Sequence, residues 1–482
     1  MTQKLSTSIH YKSDKLVYIL GIGGIAMANL ACLLRDQGFN IKGSDNNIYS
    51  PSKELLMSQG IVPFVGFDAS RLVGLLGQIN LAVIGNSISR ENEELEVLLE
   101  SGIPFVSLPE AIRMFWLKDK KSIVVAGTHG KTTISSLIGY LLWCAKKEPN
   151  IFVGGVPNNF GRGWMSGRSE FSVIEGDEYD SSFFDKDPKF FHYAPFGLVI
   201  TGVEFDHADM YRDLAHIRKN FRRLVELVNP HGFILAFSGT SELDYLLGSA
   251  KARIWLYGER TEDDFVLDSF SAHTNGSSFS LKVKNGAMDC TVRTSLMGRF
   301  NSLNIIASIA CVNLLGIDMQ LAVSHVESFR GVKRRQEVLI NSDDFLFMED
   351  FAHHPTAISQ VIDSIKMHYP DYKIAVIFEP RSNTMRRNIL QEELTYALLK
   401  ANEIYLGALD RVENVPVHDR LDVGLLVDKL SNLGRVVAYE PDKRKLVNKV
   451  MASNNVRKAL VLLSNGDCAD LKNMIIEKFN ND

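Results

Sequence analysis

The sequence predicts a three-domain α/β protein. Short runs of β-branched and aromatic residues alternate with helical patterns along nearly the whole chain, as in parallel sheets covered by helices. Two of these runs end in glycine turns that open a helix, and a length of 482 residues suits about three domains of ordinary size. We place these domains at residues 1–118, 119–326 and 327–482.

The composition favours an enzyme that acts on small molecules. Hydrophobic residues make up 45% of the chain, charged residues 23%, and the net charge is −4. There is no basic excess that would attract nucleic acid or an anionic membrane, so we expect neither as a partner. The five cysteines are widely spaced and form no C-x-x-C pair, which favours reduced thiols in a cytoplasmic protein over disulfides or a zinc site.

In the first domain, the predicted strands fall at residues 17–20, 39–42, 81–84 and 104–106. The uncharged stretch 16–34 is long enough for a membrane helix, but Gly21, Gly23 and Gly24 interrupt it and favour strand, tight turn and helix instead. A charged stretch at 118–121 is the predicted linker to the second domain.

The first glycine turn is typical of a nucleotide-binding domain. It is not a full G-x-G-x-x-G motif, because Ala26 stands at the last position, and Asp45 follows where a ribose-binding acid would lie. The same geometry would hold the pyrophosphate of NAD or of a UDP-sugar, and a purely structural turn is the third interpretation.

The second glycine turn predicts a phosphate site. An apolar strand at 123–125 leads into Gly127, Thr128, His129, Gly130, Lys131, Thr132 and Thr133. The turn's N–H groups and the following helix dipole favour a phosphate, Lys131 adds a positive charge, and the Thr132 hydroxyl suits a Mg²⁺ shell. Val125 stands where the usual P-loop pattern has glycine, so an ordinary strand-turn-helix is the alternative.

Acidic residues follow two further strands of this domain. Glu175 comes directly after the strand 172–174 and is the first choice for a Mg²⁺ ligand, whereas Asp177, Glu178 and Asp180 could equally form a solvated loop. His207 follows the strand 197–200 and could be a second metal ligand or a structural hydrogen-bonding group. A further strand is predicted at 232–236, and residues 265–292 read as antiparallel, with a turn at Asn285-Gly286.

The third domain is again α/β, with strands predicted at 345–348, 373–378, 403–406, 435–437 and 459–463. Arg334 and Arg335 could bind phosphate oxygens or form a basic surface turn. His353 and His354 are adjacent and therefore point apart. Arg381, Ser382 and Asn383 follow another strand, where Arg381 and Asn383 suit a substrate carboxylate.

Taken in order, these motifs resemble the Mur ligase superfamily, ATP-dependent amide-forming enzymes of three domains. The resemblance covers nearly the whole chain. It implies a Rossmann-like first domain that binds UDP-N-acetylmuramate, a P-loop ATPase-like central domain, and a Rossmann-like last domain that binds the incoming amine. The matching segments begin at Gly21, Gly127, Glu175, Glu204, Gly298, Gly331 and Asp350.

The resemblance also implies roles for individual residues. Lys131 and the loop amides would hold the ATP phosphates, with Thr132 and Glu175 on one Mg²⁺ and Glu175 and His207 on a second. Asn304 would read adenine, Arg334 or Arg335 would face the phosphates, and Asp350 the ribose. Gly21, Gly23, Gly24, Asp45, Asn86 and Ser87 would bind the UDP-sugar, and Arg381, Ser382 and Asn383 the peptide.

The implied reaction makes an acyl phosphate from the sugar acid and ATP, which an amine then attacks, with His207 or His353 as candidate proton acceptor. Segments at 152–157, 180–186 and 379–385 resemble the branch that attaches the whole tripeptide L-alanyl-γ-D-glutamyl-meso-diaminopimelate in cell-wall recycling. The alternatives are a ligase that adds L-alanine, an NAD-linked oxidoreductase, and a nucleotide-dependent switch. Gly202, Phe300 and residues 467–470 depart from the pattern of the relatives.

Overall fold

Three β-sheets organise the chain, and they confirm the predicted α/β class. The computed structural model describes residues 15–284, 288–409, 412–452, 457–466 and 468–481. The sheets have five, ten and six strands and follow one another along the chain, so each predicted domain range contains one sheet. The boundaries at 118 and 326 themselves stay a prediction.

The first sheet is wholly parallel, in the order β3-β2-β1-β4-β5. Its central strand β1 is buried along its whole length, as a run of apolar residues requires when helices cover both faces. The elements are β1 (Leu16–Leu20), α1 (Ile25–Asp36), β2 (Asn40–Asp45), α2 (Ser52–Ser58), β3 (Phe64–Val65), α3 (Ala69–Val73), β4 (Ile79–Ile84), α4 (Glu93–Glu100), β5 (Phe105–Ser107) and α5 (Leu108–Ile112).

The second sheet joins a parallel half to an antiparallel hairpin extension, in the order β15-β14-β13-β12-β11-β10-β6-β9-β7-β8. The predicted antiparallel region is confirmed, whereas its Asn285-Gly286 turn lies outside the described residues. The strands are β6 (Lys121–Ala126), β7 (Asn150–Phe152), β8 (Trp164–Met165), β9 (Phe171–Gly176), β10 (Gly197–Ile200), β11 (Phe233–Phe237), β12 (Arg253–Gly258), β13 (Phe265–His273), β14 (Gly276–Val283) and β15 (Met288–Thr294).

Five helices accompany this sheet. They are α6 (Lys131–Cys144), α7 (Leu214–Glu226), α8 (Leu243–Leu247), α9 (Arg299–Leu314) and α10 (Met319–Val326). The predicted linker at 118–121 ends one residue early, because Lys121 is already the first residue of β6 and pairs with Phe171 of β9. The strands β7, β8 and β12 were not predicted; β7 and β8 have only three and two residues, too few to show a periodic pattern.

The third sheet has the order β16-β17-β21-β18-β19-β20, with only β16 antiparallel. Its predicted strands are confirmed within two residues at each end. The elements are β16 (Glu337–Asn341), β17 (Phe345–Asp350), α11 (Pro355–His368), β18 (Lys373–Phe378), α12 (Gln391–Leu398), β19 (Glu403–Leu406), α13 (Val423–Asn432), β20 (Val436–Tyr439), α14 (Lys443–Met451), β21 (Lys458–Leu463) and α15 (Ala469–Asn481).

The buried apolar residues show how the domains are joined. One continuous cluster contains Ile19 and Leu30 of the first domain together with Trp164 and Ile174 of the second. The opposite face of the second sheet packs on α6 and α9, and the third sheet has a cluster on each face. Among the described residues, no helix combines the length and the apolar character needed to cross a membrane.

Candidate active site

The phosphate loop has a backbone that only glycine suits at two positions. Gly127 and Gly130 adopt positive φ angles of 139° and 78°. A Cβ atom on Gly127 would lie 2.2 Å from Thr201 Oγ1, and one on Gly130 would lie 2.6 Å from Asn304 Oδ1. α6 begins at Lys131 directly after this turn, so its free N–H groups point toward the cavity. The predicted order of strand, glycine turn and helix, which the phosphate-site interpretation requires, is confirmed.

Lys131 lies at one end of a buried polar network. Its Nζ donates to the Gly127 carbonyl at 2.6 Å and to Glu178 Oε1 at 3.0 Å, and His207 Nε2 lies 3.0 Å from the same Glu178 oxygen. Burial lowers the pKa of Lys131, but the Glu178 and Asp177 carboxylates outweigh it and raise that pKa above its usual value. The Lys131 side chain is therefore protonated and positively charged in the site.

Glu178 is one of the functional candidates that the sequence left ambiguous. Only 3% of the residue is exposed, and it holds both Lys131 and His207, so the interpretation of this segment as a solvated loop is wrong for Glu178. Asp177 also binds a cation, the Lys189 ammonium at 2.6 Å. Asp180 pairs with the exposed Lys186 at 3.0 Å.

Thr132 and Glu175 form a pair of oxygen ligands beside the phosphate loop. The Thr132 hydroxyl donates to Glu175 Oε1 at 2.8 Å, and the Gly154 amide donates to Glu175 Oε2 at 2.7 Å. Hydroxyl and carboxylate oxygens are the ligands that Mg²⁺ prefers, so this donor set fits the ion. His207 lines the same cavity, but it is hydrogen-bonded to Glu178 rather than to Glu175.

The segment after β10 carries the next group of polar residues. Glu204 Oε2 accepts the Thr356 hydroxyl at 2.6 Å and lies 3.4 Å from His129 Nε2. His354 Nδ1 is 3.5 Å from the same oxygen, while its Nε2 faces the Phe205 carbonyl at 3.2 Å. Burial lowers the pKa of His354 to about 4. The phosphate loop and α11 thus meet at Glu204, with His354 neutral near pH 7.

Asp206 joins three separate segments. Its Oδ1 accepts the His207 amide at 2.7 Å and the Thr384 hydroxyl at 2.8 Å, and its Oδ2 lies 3.6 Å from His353 Nε2. Burial raises the pKa of Asp206, but the nearby His353, His207 and His354 outweigh it and hold that pKa far below its usual value. His353 Nδ1 lies 3.0 Å from the Phe351 carbonyl. Asp206 is therefore an ionised junction that the sequence did not single out.

All the nucleotide candidates except Gly127 and Arg334 line one cavity of about 510 Å³ between the second and third sheets. Asn304 donates to Asn301 at 3.0 Å, and Phe300 lines the same wall. Both Asp350 oxygens accept backbone amides, from Gln336 and Ala352 at 2.7 Å each. The cavity walls also include Thr128, His129, Gly130, Lys131, Thr132, Thr133, Glu175, His207, Arg335 and His353.

The two adjacent arginines face different surroundings. Arg335 lines the cavity. Arg334 has a positive φ of 62° and turns away: it donates from Nε to Glu349 Oε1 at 2.6 Å and from NH2 to the Gly466 carbonyl at 2.6 Å. Of the two candidates that the sequence left open, Arg335 is the one placed to face a ligand in the cavity.

The predicted peptide-binding residues lie on the loop after β18, beside the second domain. Arg381 NH2 donates to Glu379 Oε1 at 3.3 Å, and Ser382 Oγ accepts the Met385 amide at 3.1 Å. Asn383 Nδ2 donates to Asp209 Oδ2 at 2.8 Å, which links this loop to the segment after β10.

The predicted UDP-sugar residues gather at the carboxyl edge of the first sheet. Gly21 has a φ of 87°, and a Cβ on Gly23 would lie 2.4 Å from the Asn47 carbonyl, so both positions need glycine. Asp45 Oδ2 accepts the Gly23 amide at 2.9 Å. Gly24 precedes α1, and Asn86 and Ser87 are exposed just after β4.

One departure from the relatives has a local explanation. Gly202, which departs from the pattern that the resemblance implies, adopts a φ of 127° that residues with a side chain rarely adopt, and its carbonyl accepts the Thr128 amide at 2.9 Å. The departure at Asp467 lies outside the described residues.

Comparison with known proteins gives the family. The description "Mur ligase family, catalytic domain" matches residues 16–119, and "Mur ligase middle domain" matches residues 125–312. A UDP-N-acetylmuramate–L-alanyl-γ-D-glutamyl-meso-2,6-diaminoheptandioate ligase of Escherichia coli (strain K12) is 36% identical over 391 residues, which cover 81% of this chain and 84% of that protein.

Two other proteins are similar over nearly the full length. A UDP-N-acetylmuramate–L-alanine ligase of Carboxydothermus hydrogenoformans is 29% identical, with 95% of each chain covered. The crystal structure of a murein peptide ligase from Psychrobacter arcticus has a TM-score of 0.72 at 28% identity, covering 97% of this chain and 99% of that one. The expected resemblance is confirmed: this chain belongs to the Mur ligase family.

Proposed function

We propose that this protein is an ATP-dependent ligase that joins L-alanyl-γ-D-glutamyl-meso-diaminopimelate to UDP-N-acetylmuramate through an acyl phosphate. The observation that carries the proposal is the cavity in which the Lys131 loop of the second sheet faces Arg335 and His353 of the third. A phosphoryl donor on one wall and an amine on the other can meet there only with both domains in place.

In the first step, a carboxylate oxygen of the sugar acid attacks the γ-phosphorus of ATP. The bond from that phosphorus to the bridging oxygen breaks, and ADP leaves with the electron pair. Lys131 donates to the Gly127 carbonyl and to Glu178 in the free protein, and it would exchange the carbonyl for phosphate oxygens while Glu178 continues to hold it. Arg335 from the opposite wall would neutralise the remaining charge.

Thr132 and Glu175 are the residues that would hold a Mg²⁺ ion in this site. Such an ion polarises phosphate oxygens and neutralises their charge during transfer. The Gly154 amide fixes the second Glu175 oxygen, so the carboxylate stays aimed at the Thr132 hydroxyl.

In the second step, the peptide amine attacks the acyl carbon, and the tetrahedral intermediate expels phosphate. The amine must lose a proton, and we assign its acceptance to His353 rather than His207. His207 Nε2 is engaged with Glu178 at 3.0 Å, whereas His353 Nε2 lies 3.6 Å from Asp206, beyond a normal hydrogen bond.

Two observations support the tripeptide as the amine substrate. One relative named for the tripeptide is 36% identical to this chain, against 29% and 31% for two relatives named for L-alanine. The loop with Arg381 and Asn383 also offers cationic and amide donors for peptide carboxylates. We place the reaction in the cytoplasm, with the protein a monomer or weak homodimer.

The nicotinamide alternative loses its main support in the first domain. Its ribose-binding acid would be Asp45, but that carboxylate accepts the Gly23 amide and, at 3.3 Å, the Asn47 amide. It also gives no role to Lys131 and Glu175, which lie together in the second domain.

A substrate panel tests the proposal. Purified protein receives ATP, Mg²⁺ and UDP-N-acetylmuramate with either the tripeptide or L-alanine, and both phosphate release and product mass are measured. We expect a product of sugar nucleotide plus tripeptide, with L-alanine turned over far more slowly. Faster turnover of L-alanine would instead support a ligase that adds L-alanine. ATP hydrolysis that does not depend on UDP-N-acetylmuramate would support a nucleotide-dependent switch.

A further inference from the structure

A continuous line of hydrogen bonds runs from the peptide-side loop of the third domain to the phosphate-loop lysine of the second. Thr384 Oγ1 donates to Asp206 Oδ1, which also accepts the His207 amide. His207 Nε2 and Lys131 Nζ then meet at Glu178 Oε1, each at 3.0 Å. Four contacts therefore connect the two ends of the site.

The first contact is well protected from solvent. Thr384 is 1% exposed and Asp206 5% exposed. The Thr384 hydroxyl also accepts the Ala208 amide at 3.2 Å, so one side chain engages both sides of His207. A buried carboxylate that loses a hydroxyl donor of this kind is poorly solvated and tends to move.

The next contact depends on a strained backbone. His207 has a φ of 57°, which is uncommon for a residue with a side chain, and Asp206 and Ala208 on either side of it are both tied to Thr384. The position of the His207 ring against Glu178 thus depends on a residue of the other domain.

Thr384 also shares a short loop with the predicted peptide contacts. Asn383 donates to Asp209, and Arg381 lies two residues before it. These contacts tie the loop directly to the segment that carries His207, although Thr384 and Asp206 are 178 residues apart in sequence.

We infer that Thr384 is a positioning residue that makes formation of the acyl phosphate sensitive to peptide binding. With the loop seated, Asp206 and His207 hold Glu178 so that Lys131 is aligned for phosphoryl transfer. Without that contact, Lys131 keeps its charge but loses its alignment. This inference rests on the proposed ligase function and adds communication between its two half-reactions.

The experiment isolates the first half-reaction. ATP labelled with ¹⁸O at the βγ-bridge is incubated with UDP-N-acetylmuramate and Mg²⁺, and movement of the label to non-bridging β-oxygens reports reversible acyl phosphate formation. A tripeptide analogue with a propionyl group in place of the alanyl residue can bind but has no amine to react. Its binding is checked by calorimetry.

The variants are Thr384→Val and Thr384→Ser, with Thr395→Val as a matched control. Thr395 is also buried, but its hydroxyl donates to the Gln391 carbonyl within α12. We expect the analogue to speed label exchange in the wild type, in Thr384→Ser and in Thr395→Val. In Thr384→Val, this increase should fall about fivefold or more.

Two results would overturn the inference: no acceleration by bound analogue in the wild type, or full acceleration in Thr384→Val. If Thr384→Val does not fold, as judged by circular dichroism, Asp206→Asn takes its place, because a neutral amide weakens the same contact. Absence of any ligated product from the wild type would instead count against the proposed function, which the substrate panel measures separately.

Discussion

The Nε2 atom of His368 accepts a hydrogen bond from the backbone amide of Gly298 at 3.1 Å. His368 is at the end of α11 in the third domain, and Gly298 precedes α9, which carries Asn304. On its other side, His368 Nδ1 donates to the His273 carbonyl at 2.6 Å. The ring must be neutral to make both contacts, and burial lowers the pKa of His368, in agreement.

This contact predicts a pH-dependent stability. A histidine whose folded pKa is depressed stabilises the fold fully above its unfolded pKa of about 6.5, and that contribution is lost as the pH falls toward the folded value. We therefore expect the Tm difference between wild type and His368→Gln to be largest above about pH 6.5 and to shrink below it. A difference that is constant from pH 5 to 8, measured by calorimetry, would contradict the prediction.

Arg334 and Arg335 are expected to differ in what their loss affects. Arg335→Ala should raise the KM for ATP or lower kcat on the order of tenfold, because it removes a cation from the cavity wall, and should leave the Tm near that of wild type. Arg334→Ala should instead destabilise the protein by about 2 kcal/mol, since Glu349 loses a charged partner and is left with Lys472 at 3.1 Å and the Cys468 thiol at 3.3 Å. Kinetics and urea unfolding of both variants check this, and exchanged phenotypes would refute it.

Glu175→Gln should raise the Mg²⁺ concentration needed for half-maximal activity by about tenfold or more, because an amide is a weaker ligand than a carboxylate. Titration of activity against Mg²⁺ at saturating ATP gives the value. Asp180→Asn is the control, as Asp180 is an acid of the same segment paired with the exposed Lys186. Equal Mg²⁺ dependence of Glu175→Gln and wild type would rule out Glu175 as a ligand.

Lys131→Ala should reduce turnover by about 100-fold or more, because the γ-phosphate loses its buried cation. Binding of UDP-N-acetylmuramate, followed by calorimetry, should remain close to wild type, since the residues proposed to bind it lie at the edge of the first sheet. Loss of both activity and sugar binding would mean that the domain assignment is wrong.

Arg381→Ala should raise the peptide KM by about tenfold or more while the KM for ATP changes little, because a guanidinium paired with a carboxylate is a strong, directional contact. Arg387→Ala serves as the control, since Arg387 is on the same loop but pairs with Asp419 at 3.6 Å. An equal effect of the two substitutions on peptide KM would show that Arg381 has no special role.

The sequence alone predicted those parts of the site whose position depends on residues that are close together in the chain. The glycine turn after an apolar strand predicted the position of Lys131 and Thr132, and Glu175 was predicted at the end of another apolar strand. The structure has Glu175 near the end of β9, which pairs with β6, so the three residues lie at one edge of the sheet. Such features depend on neighbours within a few residues, so a single chain reveals them.

Contacts between distant segments could not be predicted in this way. Asp206 carries no local signal that distinguishes it from a surface acid, because its partners His353 and Thr384 come from the third domain. Which of Arg334 and Arg335 faces the cavity likewise depends on the positive φ of Arg334, and the neighbouring residues in the sequence do not indicate that φ.

The apolar cluster that contains both Ile19 and Trp164 has a mechanical consequence. Rotating the first domain against the second would expose this shared apolar core to water, at a free-energy cost of about 25 cal/mol for each Å² uncovered. The third domain meets the second through polar contacts such as those of Thr384 and Thr356, and its apolar cluster takes in two residues of the second domain, Met297 and the partly buried Phe300. We therefore expect rotation of the third domain to expose less apolar surface than rotation of the first, so the third domain is the one that can move to admit and release reactants.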